Sequence, residues 1–68
     1  MRRFHLVRHR DPSGISGTGI VADGVQFRDG QVVVRWRGER SSTVIWPGIE
    51  DVQAIHGHGG ATTIAWED

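Results

Sequence analysis

Two histidines near the C-terminus lie among glycines, in the segment AIHGHGGATTI. His56 and His58 are two residues apart, and Gly59 and Gly60 follow them. Imidazole is a common metal ligand, and glycine turns expose backbone N–H groups that bind phosphate. The segment therefore has the residue types of a metal site or of an anion site. It also has those of a plain turn that ends a helix and begins a strand.

A second set of chemically capable residues lies in the N-terminal segment RHRD. If the first and last predicted strands pair antiparallel, the end of the first lies beside the start of the last. RHRD then approaches HGHGG. The histidines and Asp11 could bind a divalent cation, or the arginines and the glycine N–H groups could hold a phosphate. Because arginines repel a cation, we prefer the anion and predict neither a metal nor a cofactor. The candidate site for a ligand or partner comprises Arg8, His9, Arg10, Asp11, His56, His58, Gly59 and Gly60.

The segment RWRGER offers a further surface. With Trp36 inside, Arg35 and Arg37 lie on the outer face of a strand and Arg40 lies in the following turn. Beside an exposed aromatic such as Trp46, these arginines would form a stacking platform for nucleic acid. The alternative is that they are solvated and paired with neighbouring carboxylates. Catalysis has no comparable signal, because nothing in the sequence fixes a nucleophile against a base, and no enzyme is predicted.

Short strands must position these residues, since the chain is rich in glycine and β-branched residues. We predict a strand over residues 3–10, a long loop over DPSGISGTG, and a hairpin around Asp29 and Gly30. With these two as a type I′ turn, Phe27 faces Val32 and Val25 faces Val34. That register puts Val21, Val25 and Phe27 on one face with Val32, Val34 and Trp36.

The second half of the chain predicts a strand, a short helix and a closing strand. The strand over residues 42–46 has an ambiguous core face, because Trp46 and Ile45 compete for it. The helix follows Pro47, with Ile49, Val52 and Ile55 on one side, and Gly57 is the expected left-handed stop. ATTIAW forms the closing strand.

This order predicts a mostly-β fold. The favoured form is a small SH3-like barrel or an antiparallel meander of about five strands, with one short helix before the last strand. The runner-up is a small antiparallel sheet with the helix across one face, which a second copy could complete. Residues 1–68 are predicted to form a single domain.

Composition narrows the functional classes. The 68 residues include eight arginines, no lysine, eight carboxylates and no cysteine, and the formal net charge is zero. A non-specific nucleic-acid binder usually has a positive excess. No apolar run approaches the roughly 20 residues that span a membrane, and no signal peptide is evident. We therefore expect a cytoplasmic protein without a membrane partner.

Several segments resemble a group of small proteins of actinobacteria and their bacteriophages to which no activity is assigned. The likeness lies in SGTGIVADGVQF, in DG and VVVRW, in SSTVIWP and IEDVQAIHGHGG, and in a last strand ending on tryptophan. It runs from about Ser13 to Trp66. The resemblance implies a phage or prophage accessory protein. Such proteins are expected to carry a basic residue near Ala61, which this chain lacks.

Together these features favour a non-enzymatic binding module. We expect it to act through contacts with a host or phage protein, or by assembling with itself as a homo-oligomer. The alternative is a binder of nucleic acid or a nucleotide, through the arginines and the Gly/His-rich loop. A histidine-dependent metal protein or enzyme is the least favoured class.

Overall fold

A computed structural model describes residues 1–10 and 18–68, with His58 described by its backbone alone. The predicted loop up to Gly17, and with it Asp11, lies outside the described residues. A 3-10 turn over His58–Gly60 precedes the last strand. The elements are β1 (Arg2–Arg8), β2 (Gly19–Gln26), β3 (Val32–Trp36), β4 (Thr43–Trp46), α1 (Ile49–His56) and β5 (Thr62–Trp66).

The five strands form one antiparallel sheet in the order β4-β3-β2-β1-β5. The predicted mostly-β class, with a short helix before the last strand, is confirmed, and β1 pairs with β5 as expected. The sheet is open, however, because β4 and β5 form its two edges. The SH3-like barrel is therefore not the form that the chain adopts. The other predicted form, an antiparallel meander of five strands, is confirmed: β1 to β4 lie side by side in chain order and β5 joins beside β1. Helix α1 packs on one face of this sheet, as in the runner-up.

The core lies between the sheet and α1. Its buried residues are Phe4, Leu6, Ala22, Val32, Val34 and Val52. The three tryptophans, Val21, Ile49 and Ile64 pack around this cluster. Trp46 thus belongs to the core face of β4, whereas Ile45 faces the other way and is 62% exposed. On α1, Ile55 is 57% exposed, so the predicted apolar side of the helix is narrower than three residues.

The β2–β3 hairpin differs from its predicted register by one residue. Gln26 pairs with Val32 and Val25 pairs with Val33. The loop contains three residues, because the Phe27 N–H donates to the Gln31 carbonyl and the Gly30 N–H donates to the Phe27 carbonyl. Gly30 has φ +99°, as in a type I turn followed by a G1 bulge.

The one-residue shift moves Val25 and Phe27 off the core face, and Ala22, Gly24 and Gln26 replace them. Val21 still reaches the core because a bulge shifts the β1–β2 register between Leu6 and Val7. The extra residue of β2 is thus Val21, which has no Cα partner on β1.

Helix α1 begins and ends with local contacts. The Gly48 N–H donates to the Asp51 carboxylate at 3.1 Å, so the acidic first turn stabilises the helix N-terminus. Gly57 is not the left-handed stop, since its φ is −71°. The left-handed residues are Gly59 and Gly60, with φ +63° and +97°. Among the described residues, no helix is long and apolar enough to cross a membrane.

Candidate functional site

Strand directions gather the candidate residues at one end of the sheet. β1 and β3 end there, and β2, β4 and β5 begin there. Arg8 pairs with Thr62, and the His9 N–H donates to the Ala61 carbonyl at 2.7 Å. RHRD, as far as it is described, therefore lies beside the residues that follow HGHGG. We call this end the cationic end, and its residues are Arg8, His9, Arg10, Arg35, Arg37, Arg40 and 56–60.

Most carboxylates lie at the opposite end. That end contains the β2–β3 hairpin, the start of α1 and the residues after β5, which carry Asp29, Glu50, Asp51, Glu67 and Asp68. The net charge of zero thus conceals a charge separation along the strands. The balance of charges argues against a uniformly basic surface, but it does not argue against a local anion site.

The arginines differ in how far their charge is neutralised. At the opposite end, Arg2 pairs with Asp68 at 2.8 Å and Arg3 pairs with Glu67 at 3.2 Å. At the cationic end, neither Arg8 nor Arg10 forms an ion pair with any residue in the described part of the chain. Their guanidinium groups therefore keep an uncompensated charge in this part of the structure.

Arg37 is paired, as the alternative interpretation of the arginines expected. Its Nε and Nη2 donate to the two Asp23 oxygens at 3.0 and 2.8 Å. The Arg37 hydrogen bonds hold the Asp23 pKa below its ordinary value, burial opposes this effect, and a hydrogen bond with His5 adds to it. The same contact raises the pKa of Arg37.

A depression of about 350 Å³ opens at the cationic end. Arg8, Trp36, Arg37 and Gly38 line it, together with the beginning of β2. A guanidinium without an ion pair, a second guanidinium and an indole thus share one concave surface. Arginine and aromatic side chains are the groups that hold phosphates and stack on bases.

Trp36 also connects the depression to the HGHGG segment. The His56 ring lies edge-on to Trp36, with centroids 4.8 Å apart, and to Trp46, with centroids 5.8 Å apart. His56 therefore packs between α1 and the sheet. The sequence assigned Trp36 only to the core; its place at the end of β3, between two arginines, is the signal that could have assigned it to a site.

His9 lies on the other face of the sheet. Its Nε2 is 2.6 Å from the Thr63 hydroxyl, whose residue alternates with the core-facing Thr62 and Ile64. The sheet thus lies between His9 and His56. Among the described residues, no group of three or more histidines and carboxylates could hold a metal ion.

The glycine turn uses part of its own hydrogen-bonding capacity. The N–H groups of Gly60 and Thr62 both donate to the Gly57 carbonyl at 3.0 Å. These two groups are therefore not available to a phosphate in this conformation. The Thr62 hydroxyl, by contrast, has no hydrogen-bond partner in the described structure, although it is buried in a residue that is 6% exposed.

The predicted stacking platform with Trp46 is not formed. Arg35 donates to Thr43 Oγ1 at 2.7 Å and to Ser41 Oγ at 2.9 Å on the helix-free face, whereas Trp46 faces the core. Arg40 is exposed in the β3–β4 turn. At the cationic end, Trp36 shares a surface with Arg8 and Arg37, and at the opposite end the Arg2 guanidinium lies 3.9 Å from the Trp66 ring centroid.

The fold and its cationic end define a small, mostly-β protein with an open sheet, one covering helix and a polarised charge distribution. The chain belongs to the Acb5 phage protein family, whose family model matches residues 1–68. This membership agrees with the phage origin that the sequence resemblance implied. Comparison with curated proteins and comparison with solved structures gave no match.

Proposed function

We propose that this phage protein is a binding module whose cationic end holds a small phosphate-bearing ligand of the nucleotide class. The observation that carries the proposal is the depression at which Arg8, Arg37 and Trp36 meet. Arg8 supplies a charge that no described residue neutralises, and Trp36 supplies a surface for a base.

The size of the site favours a small ligand over a long nucleic acid. Its volume of about 350 Å³ falls at the lower end of small-molecule pockets. A long strand needs a groove with arginines spread along it. Within the described residues, the arginines without an ion pair lie mostly at the cationic end, with Arg28 the exception. The carboxylates at the other end would repel an extended backbone.

The test is calorimetric and fluorescence titration at low salt. The probes are a nucleoside monophosphate, a dinucleotide and inorganic phosphate. We expect the two nucleotides to change tryptophan emission, and Arg8→Ala to weaken their binding about tenfold or more, because it removes a charge-assisted hydrogen bond. Arg28→Ala is the control, since Arg28 also lacks an ion pair within the described residues but lies in the hairpin at the opposite end.

The outcomes separate the alternatives. An equal loss of nucleotide affinity in Arg8→Ala and Arg28→Ala would mean that binding depends on net charge alone. Absence of binding to every probe at low salt would refute the proposal. Binding of inorganic phosphate alone would remove the role of Trp36. We expect each nucleotide to be recovered unchanged. Conversion to a product would contradict a role limited to binding.

A protein partner is the second candidate function, and one observation favours it. The helix-free face of the sheet carries exposed apolar side chains, among them Ile45 and the neighbouring Met1, which are 62% and 81% exposed. The depression on this face and the Arg8 depression share no lining residue, although Arg37 of the one is hydrogen-bonded to Asp23 of the other.

A further inference from the structure

The sheet has one face that no described element covers. Helix α1 packs on the other face, and the uncovered face carries an apolar row across three strands. Val25 pairs with Val33, and Val33 pairs with Ile45. A shallow depression of about 370 Å³ borders this row, and its lining includes Met1, Val25 and Val33.

The pattern of β3 is that of a strand covered on both sides. Val32 and Val34 are fully buried beneath α1, and Val33 between them points to the uncovered face. A strand with one solvated face normally alternates apolar and polar residues, whereas consecutive apolar residues are typical of strands buried on both faces. The run of three valines therefore indicates that something packs on Val33.

The charges around the apolar row are of both signs. Arg3 and Arg35 line the depression together with Asp23. Glu67 reaches the same face through its contact with His5 at 2.9 Å. Arg35 donates only to hydroxyl groups, so its charge has no carboxylate partner in the described structure.

A surface with an apolar centre and both charge signs at its margin is complementary to itself. In a two-fold dimer the same patch meets its own copy, so cations of one copy can approach carboxylates of the other. A partner with one predominant charge would leave one of these two signs facing a like charge. Self-complementarity is thus the property that selects a second copy as the occupant.

We propose that two copies of the chain pack face to face through this surface, which is defined by Val25, Val33, Ile45 and Arg35. The dimer has two-fold symmetry, and its α1 helices lie on the outside. It also enlarges the core of a 68-residue chain, which is small for a domain that folds alone. The proposal does not depend on the ligand of the cationic end.

Sedimentation velocity over a concentration series tests it, with Ile45→Glu and Ile55→Glu as matched variants. Both isoleucines are largely exposed, at 62% and 57%, so neither substitution removes a core side chain. Ile45 lies on the uncovered face and Ile55 lies on α1. We expect the wild type and Ile55→Glu to dimerise alike, and Ile45→Glu to weaken dimerisation about tenfold or more, because it places a carboxylate in the apolar centre.

Circular dichroism of each variant confirms that both are folded. If Ile45→Glu unfolds, Ile45→Ser provides the same comparison with a smaller change. A wild type that is monomeric at the highest soluble concentration would overturn the proposal. So would a dimer that Ile45→Glu leaves intact, because its copies would then meet at the β4 or β5 edge or through α1.

Discussion

Asp23 connects the charged side chains at the centre of the helix-free face. Its carboxylate accepts two hydrogen bonds from Arg37 and lies 2.9 Å from His5 Nδ1. The other ring nitrogen of His5 is 2.9 Å from Glu67, so the network extends from β3 to the residues after β5. A carboxylate held by a guanidinium favours its ionised form, which is why the pKa of Asp23 is lowered.

The lowered pKa predicts an acid-dependent stability. Because the folded state favours ionised Asp23, this contribution is complete above the ordinary carboxyl pKa of about 3.9 and is lost as the pH falls through the lower folded value. We expect Asp23→Asn to reduce the melting temperature at pH 7 and to narrow the fall in melting temperature from pH 6 to pH 2. The stability that ionised Asp23 contributes is modest, since its side chain is 45% exposed.

Thermal unfolding of both proteins across that pH range measures the difference. Asp29→Asn is the control, because Asp29 accepts a hydrogen bond from the Gln31 N–H in the hairpin loop and forms no ion pair with a described residue. An unchanged acid profile in Asp23→Asn would mean that the Arg37 contact contributes nothing to stability in solution.

At the scale of elements, the sequence predicts order and pairing better than register. The short strands, the helix before β5 and the β1–β5 pairing follow from apolar runs and turn residues. The hairpin register does not, because Asp29 and Gly30 suit a two-residue loop as well as the three-residue loop that forms. One residue of difference exchanges the two faces of β2.

The site shows the same division. Chain order predicts that RHRD lies beside HGHGG, since antiparallel pairing of the first and last strands requires it. Two other features of the site depend on which face each side chain occupies. Trp36 lies beside Arg8, and the sheet lies between His9 and His56. Sequence alone left those faces ambiguous. Closure was equally undetermined, because a meander of five strands can form a barrel or stay open.

The contact between β1 and β2 explains the glycine in the middle of β2. Gly24 pairs with Phe4, and a Cβ on Gly24 would lie 2.1 Å from the Phe4 ring. The ring cannot retreat easily, because Phe4 is 1% exposed in the core and lies 5.2 Å from Trp66 in an edge-on contact. Gly24 therefore provides the space that the largest buried side chain occupies.

We expect Gly24→Ala to destabilise the fold by about 1–3 kcal/mol through overpacking. In a domain of this size, this lowers the melting temperature by roughly 4–8 °C per kcal/mol. Combined with Phe4→Leu, which shortens the opposing side chain, Gly24→Ala should destabilise less than it does alone. A double-mutant cycle from chemical denaturation measures this coupling, and strictly additive effects would contradict the steric explanation.

The whole molecule is polarised although its net charge is zero. In an antiparallel sheet, the end of one strand lies beside the beginning of its neighbour, so residues distant in sequence meet at one end of the sheet. Arginines and carboxylates are distributed unequally between the two ends. A formal charge summed over the sequence contains none of this information. The location of the charges is therefore a property of the topology, and it is testable separately from their number.

Retention on heparin, a sulfated polyanion, tests the location directly. Arg40→Glu and Arg28→Glu change the net charge equally, and both residues are exposed in turns between strands. Arg40 lies at the cationic end, whereas Arg28 lies at the carboxylate-rich end. We expect the wild type to be retained at low salt near pH 7. Arg40→Glu should elute at lower salt than the wild type, whereas Arg28→Glu should elute close to it. The reason is that salt in the elution gradient screens charges at the far end of the molecule from the bound polyanion. Equal losses in both variants would mean that the polyanion responds to net charge and that the cationic end has no separate electrostatic identity.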